Sequence, residues 1–320
     1  MSTVVALGGN ALMRPGERGT AAEQLANLRR AVTALRPLLV KSWSDQTSWS
    51  GQTSQTDLIR PGQGLVITHG NGPQVGNELI RQERAAEEAP PLPLWLAVAQ
   101  TQAEIGALIA AELRPAVDRQ VACVLTHVLV APDDPAFDRP TKPIGPFYSD
   151  QEAEALQRER GWAMAADANR GHRRVVPSPE PLEIIELESI RALADTGALA
   201  IACGGGGIPV VRHGDRLAGV DAVIDKDRAS ALLARGLGAA RLLILTEVPA
   251  VYERFGKRDQ RELRELDRKA AAALLPELAE GSMRPKVEAA LSFGRETLIT
   301  SFEALEDALA GRAGTRIHVE

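Results

Sequence analysis

Three lysines stand where a solvated surface cation has little reason to be. Lys142 lies in Pro140-Thr141-Lys142-Pro143, where a restricted backbone would aim its ammonium, and Lys226 sits between Asp225 and Asp227 at an expected helix start. Lys286 follows Pro285 in the first turn of another expected helix, an end whose dipole opposes a cation. Three glycine-bearing turns accompany them: Gly8-Gly9-Asn10, Gly70-Asn71-Gly72 and the four glycines Gly204, Gly205, Gly206 and Gly207, each directly after a short apolar run. A residue without Cβ lets backbone N–H groups converge on an anion that side chains would block. For any one lysine a solvated surface position is the alternative, for the glycines a flexible turn, and for Asp225 or Asp227 an N-cap. Taken together they suit phosphoryl transfer. Two anions at about 4 Å repel by about 4 kcal/mol in a partly shielded site, and ammoniums, N–H groups and Mg²⁺ can offset that. The motif GxxxxGK[ST] does not occur, GNGPQVG misses the dinucleotide fingerprint by one residue, and no convincing Ser–His or Cys–His set is present.

The elements that must position these residues alternate along the chain. Apolar runs at Val4–Leu7, Leu65–Thr68, Val121–Val130, Leu199–Cys203, Arg241–Thr246 and Thr297–Thr300 read as strands. Between them, helical spacing marks Ala21–Val40, a segment from Gln74, Trp95–Leu113, Asp227–Arg235, Asp267–Ala279 and a helix through Phe293. Such alternation predicts an α/β fold with a mainly parallel sheet and helices on both faces. In such sheets ligands bind outside the carboxyl ends of the strands, where all three glycine turns fall. The broad apolar face of the helix at 95–113 predicts burial by the core and by a second subunit. Residues 131–181 are too long for a simple connection and predict a lid or small subdomain. Residues 41–63, with SWSDQTSWSGQTSQT at 42–56, are low in complexity and predict a flexible surface insertion.

Apolar residues make up 44% of the 320, charged residues 25%, and the net charge is −5 without a long basic run, which argues against nucleic acid as a partner. Any anion site must then be made locally. Cys123 and Cys203 lie in apolar runs without CxxC spacing and predict two buried free thiols in a reducing compartment. The five histidines show no paired ligand spacing, so no transition-metal site is expected. Without a charged leader or an apolar stretch of about 18 residues, a cytoplasmic protein without membrane insertion is expected.

Several motifs together resemble the carbamate kinases, a branch of the amino acid kinase family: ALGGNAL at 6–12, ITHGNGPQVG at 67–76, PTKPIGPFY at 140–148, RRVVPSPEP at 173–181, GGGGIPVV at 204–211, DAVIDKD at 221–227 and GSMRPKVEAA at 281–290. PTKPIGPFY discriminates, since acetylglutamate and uridylate kinases of the same fold lack it. The resemblance covers the chain almost end to end. It implies one domain over 1–320, a three-layer αβα sandwich with a small protruding lid at 131–181, and a homodimer. The implied reaction is reversible: ATP plus carbamate gives ADP plus carbamoyl phosphate, run towards ATP where arginine or ureides are broken down. A kinase of another small carboxylate and a nucleotide-binding regulatory protein without turnover are the alternatives. Gly8, Gly9, Asn10, Gly70, Asn71 and Gly72 would hold carbamate and the transferring phosphoryl group, and Gly204 to Gly207 would shape the floor beneath them. Lys142 would reach in from the lid, Lys226 would stabilise the phosphoryl group, and Asp227 would orient the lysines. Thr246, Val251, Tyr252, Met283 and Lys286 would line the nucleotide end, with Mg²⁺ held mainly by the phosphates. Carbamate is already an anion, so no general base is required. Arg284 stands where Gly is usual in this branch, Glu247 where Asp is usual, and the 41–63 stretch is longer than the expected turn.

Overall fold

The computed structural model describes residues 2–14, 16–39, 64–166, 171–279 and 281–319. An eight-stranded sheet runs through it in the order Glu265–Asp267, Thr315–His318, Thr297–Ser301, Arg241–Thr246, Thr3–Leu7, Leu65–His69, Leu199–Ile201, Val121–Cys123. Every pairing is parallel except Thr297–Ser301 with Thr315–His318. Successive side chains of a strand point to opposite faces, and helices cover both, so the central strands carry apolar residues on both faces. Val4, Ala6, Val66, Leu242 and Ile244 pack beneath the helices Lys226–Gly236 and Met283–Phe293. Val5, Leu7, Ile67, Leu243 and Leu245 pack against Ala21–Ala34 and Leu94–Leu113. This is the three-layer sandwich with a mainly parallel sheet that the sequence predicts.

Thr3–Leu7 is the pivot of the sheet. The first half of the chain adds Leu65–His69 on one side, and the second half adds Arg241–Thr246 on the other. The order reverses here, which opens a crevice at the carboxyl ends of these strands.

Three expectations need correction. Cys203 is buried, but Cys123 is exposed, because it ends the edge strand of the main sheet. Val121–Val130 is not one strand. Val121–Cys123 is the edge of the main sheet, whereas His127–Leu129 belongs to a second sheet of four strands with Glu183–Ile184, Ile208–His213 and Arg216–Gly219. The break is held by Thr126, whose N–H donates to Gln102 Oε1 at 2.6 Å and whose Oγ1 donates to Val124 O at 2.8 Å. The run at 199–203 likewise leaves the sheet after Ile201, where Cys203 adopts φ 49° and turns the chain into the glycines.

Within 131–181, residues Lys142–Tyr148, Met164–Ala166 and His172–Val176 form a separate three-stranded antiparallel sheet, and the helix Asp150–Arg160 links two of its strands. It rests on the helix Gly72–Arg84 through a small apolar cluster that includes Val75, Val98, Ile144 and Val176. The 41–63 insertion lies outside the described residues. The helix Leu94–Leu113 is apolar and long enough to cross a membrane by length and composition, yet half of that stretch is buried inside the protein. Its inward face also carries Thr101 and Gln102, both about 1% exposed.

Candidate active site

The carboxyl ends of the three central strands each turn on glycine. After Leu7 the chain makes a short 3₁₀ turn over Gly9–Ala11, and a Cβ on Gly8 would stand 2.6 Å from Leu245 O and 3.4 Å from Thr246 Cα. Gly9 has open space where a side chain would be, and Asn10 occupies the middle of the turn. Thr246 therefore lies beside Gly8. After His69, Gly70 packs on the stem of Lys226, and Asn71 caps the helix that begins at Gly72. Asn71 is buried, its Nδ2 donating to Thr101 Oγ1 at 3.0 Å.

The four glycines are dictated by the protein itself. A Cβ on Gly204 would meet His69 Nε2 at 2.3 Å, on Gly205 Asn71 Nδ2 at 2.4 Å, on Gly206 Ile224 O at 2.3 Å, and on Gly207 Val128 Cγ2 at 2.2 Å. The N–H groups of Gly206 and Gly207 close the turn onto Cys203 O and Gly204 O. The segment is thus a tightly packed wedge rather than an open cradle of four. Gln102 fixes it from below, donating to Gly204 O at 2.8 Å. The His69 ring is fully buried against Gly204; burial pushes its pKa down to about 4, and its Nε2 has no hydrogen-bond partner among the described residues.

Over these turns converge the lysines, from three separate parts of the chain. Asp225 caps the helix Lys226–Gly236, accepting from the N–H of Asp227 at 2.8 Å and of Arg228 at 3.3 Å. Its other oxygen accepts from Lys142 Nζ at 2.5 Å. Asp227 takes Lys226 Nζ at 2.5 Å on one oxygen and Lys286 Nζ at 3.1 Å on the other. Lys286 also donates to Ser282 O at 3.0 Å, which ties it to the start of its own helix. The N-cap reading of Asp225 holds, and the same carboxylate also pairs with Lys142. The sequence reading did not identify Asp225 as the partner of Lys142; the two are 83 residues apart, and only the Pro140–Pro143 frame hinted that Lys142 had a fixed target.

The electrostatics follow from burial. Desolvation alone would raise the pKa of both carboxyls, yet the lysines outweigh it and hold Asp225 and Asp227 below their ordinary values. Both Lys226 and Lys286 lose hydration. For Lys286, Asp227, Asp225 and Glu247 more than offset that, and its pKa rises. Lys226 also faces Lys286, and its pKa falls. Three ammoniums are thus in contact with two carboxylates, and Glu247 acts on Lys286 from farther away, in a chain of net charge −5.

The residues expected at the nucleotide end are less uniform. Met283 is half-buried at the start of its helix, and Tyr252 leans on Phe255 with ring centroids 5.8 Å apart. Val251 is completely buried, its N–H donating to Thr315 Oγ1 at 2.8 Å, so it can shape that end only from behind. Arg284 bonds Glu288 at 3.1 Å, and Glu288 also takes Arg228 at 2.9 Å. Among the described residues no group of three His, Cys, Asp or Glu converges as a metal cage.

Known proteins resemble this chain in sequence and in fold. The model of the amino acid kinase family matches residues 1–301. A carbamate kinase of Halobacterium salinarum is 46% identical over 321 residues, covering 98% of this chain and 97% of that protein. The structure is similar to that of a carbamate kinase from Giardia lamblia bound to citric acid, with TM-score 0.86 and 37% identity over 99% of this chain and 98% of that one. It is also similar to the Giardia lamblia enzyme bound to AMP-PNP, with TM-score 0.82 and 37% identity over 99% of this chain and 98% of that one.

Proposed function

The chain belongs to the amino acid kinase family, and we infer that it is a carbamate kinase, moving a phosphoryl group reversibly between ATP and carbamate. The observation that carries the reading is the convergence of Lys142, Lys226 and Lys286 on Asp225 and Asp227, above the glycine turns at the carboxyl ends of the central strands. A carbamate oxygen attacks the γ-phosphorus as the bond to the β-phosphate bridge breaks. No proton has to be removed from carbamate, which fits a site built from cations rather than from a base.

The chain's own residues hold charge in place. Asp227 spaces Lys226 and Lys286, so both ammoniums face the transferring group at no cost of reorganisation when charge shifts onto its oxygens. Lys142, held by Asp225, closes the site from the 142–176 sheet, which acts as a lid. The amides around Gly8–Gly9, Gly70–Gly72 and Gly204–Gly205 offer donors to the carboxylate and the phosphoryl oxygens. Thr246, Tyr252 and Met283 line the adenosine end. Both carboxylates of the cluster are engaged by lysines, so a magnesium ion arriving with the nucleotide would be held chiefly by phosphate oxygens. It would add further charge neutralisation there. The reverse direction suits arginine or ureide breakdown, where carbamoyl phosphate is the phosphoryl source. We further infer a cytoplasmic homodimer, supported by two cysteines free of disulfides and by the partly uncovered apolar helix at 94–113.

Purified protein mixed with carbamoyl phosphate, ADP and Mg²⁺ is expected to make ATP. Lys142→Ala is expected to lower turnover strongly while the fold stays intact. No ATP above the Lys226→Ala background would reject the kinase reading.

A further inference from the structure

The 142–176 sheet touches the helix Gly72–Arg84 main chain to main chain. A Cβ on Gly76 would stand 1.9 Å from Gly145 Cα and 2.1 Å from Gly145 N, separations that real Cβ atoms do not show. Gly145 is itself at φ +71°, a conformation that favours glycine, and its carbonyl accepts from Arg173 Nε at 3.0 Å. The neighbouring Ile144 is 1% exposed among Val75, Val98 and Val223. One helical turn or more beyond Gly76, Glu83 takes Arg160 at 2.8 Å and Arg174 at 3.8 Å. The Arg174 guanidinium in turn lies 4.4 Å from the centroid of the Trp162 ring. The small sheet is therefore held at two points, directly at Gly145 and, through Arg174 on the strand paired with Ile144, at Glu83; Lys142 stands three residues from the first.

We propose that Gly76 is a positioning residue for Lys142: its bare backbone lets the strand come down far enough for the ammonium to reach Asp225. This rests on the kinase reading above. Carbon atoms pack at about 3.5–4.0 Å, so a methyl group on Gly76 lifts the strand by roughly 2 Å. A lift of that size carries the 2.5 Å Lys142–Asp225 bond beyond hydrogen-bond distance for as long as the lysine keeps its rotamer. A misplacement of about 1 Å can cost on the order of 100-fold in rate.

The test is a double-mutant cycle on ATP synthesis from carbamoyl phosphate and ADP, with wild type, Gly76→Ala, Lys142→Ala and the double variant. Gly76→Ala is expected to lower kcat about 100-fold in the wild-type background and no more than about twofold in the Lys142→Ala background, with the KM for ADP changed less than about threefold. In parallel, limited acylation read by mass spectrometry follows the six lysines of the chain. Lys142 labelling is expected to rise in Gly76→Ala towards that of exposed Lys257 and Lys269. A near-wild-type kcat for a folded Gly76→Ala, or the same loss in both backgrounds, overturns the proposal. If wild type makes no ATP, the kinase reading falls, and the labelling alone judges the seam: unchanged Lys142 labelling overturns it. Should the alanine variant not fold, Glu83→Gln loosens the same sheet from its neighbouring strand and helix, without adding a heavy atom. It is expected to lower kcat by about 3- to 10-fold with the same non-additivity, and an additive loss overturns the proposal.

Discussion

Replacing Asp227 by Asn tests whether one carboxylate holds the site together. Asp227 is 3% exposed and bonds Lys226 and Lys286 at 2.5 and 3.1 Å, one on each oxygen. The amide keeps the shape and removes the charge that lies between two buried ammoniums; at an effective dielectric near 20, two unit charges separated by about 5 Å repel by about 3 kcal/mol. Breaking a buried charge pair by removing one partner costs about 3–5 kcal/mol, so the lower end is expected for this isosteric change. In a urea titration near pH 7 the stability of the free enzyme should fall by about 3 kcal/mol. The pH dependence gives a second check. The pKa of Lys226 already lies below its ordinary 10.5 in the folded protein, and losing Asp227 depresses it further. Between the folded and unfolded values the unfolded chain binds more protons, so stability rises with pH in that window. The deficit of Asp227→Asn should therefore shrink when the titration is repeated at about pH 9.5. Saturating ATP, an anion that neutralises the stranded cations, should stabilise the variant more than it stabilises wild type. Equal stability near pH 7, or a deficit that does not change with pH, would refute the idea that Asp227 holds the two lysines together.

Two other predictions concern the wedge beneath the lysines. His69 is neutral in the fold, with its pKa lowered from 6.5 to about 4 chiefly by burial. The contribution is fully present above pH 6.5 and is lost as pH falls towards 4, on the order of 3 kcal/mol in all. His69→Phe should flatten that slope in urea titrations between those limits, and an unchanged slope would assign acid sensitivity elsewhere. Gly205→Ala asks a residue at φ +66° to place a methyl 2.4 Å from Asn71 Nδ2. It should cost about 1–3 kcal/mol of stability and raise the KM for carbamoyl phosphate at least several-fold. Wild-type values for both would mean that the wedge yields.

Much of the site could be read from residue types. The parallel sheet follows from apolar runs alternating with helical spacing, and the rule for its carboxyl ends brings Gly8, Gly70 and Gly204 to one edge before any coordinate is known. Lys226 and Lys286 betray themselves by standing in first turns of helices, where a cation needs a partner. What could not be read is long-range. Lys142 meets Asp225 across 83 positions, and no local pattern says which of two neighbouring aspartates it takes. The four glycines were legible as a place of close approach, but not what approaches: His69, Asn71, Ile224 and Val128 fill the space of the missing Cβ atoms. The run at 121–130 looks continuous because both halves are apolar. It is divided by Gln102, a side chain on another element that captures the backbone of Thr126.

Thr101 and Gln102 are adjacent on the helix Leu94–Leu113, and each secures a different turn: Thr101 receives Asn71, and Gln102 grips Gly204. Both turns are thereby registered to a single rigid rod, as two parts of an instrument are bolted to a common rail. If thermal motion slides the helix along the sheet by some fraction of an ångström, the two turns travel with it together. Their separation, the quantity that a small substrate samples, then varies much less than the position of either turn. The gap between the turns is protected from breathing of the fold around it.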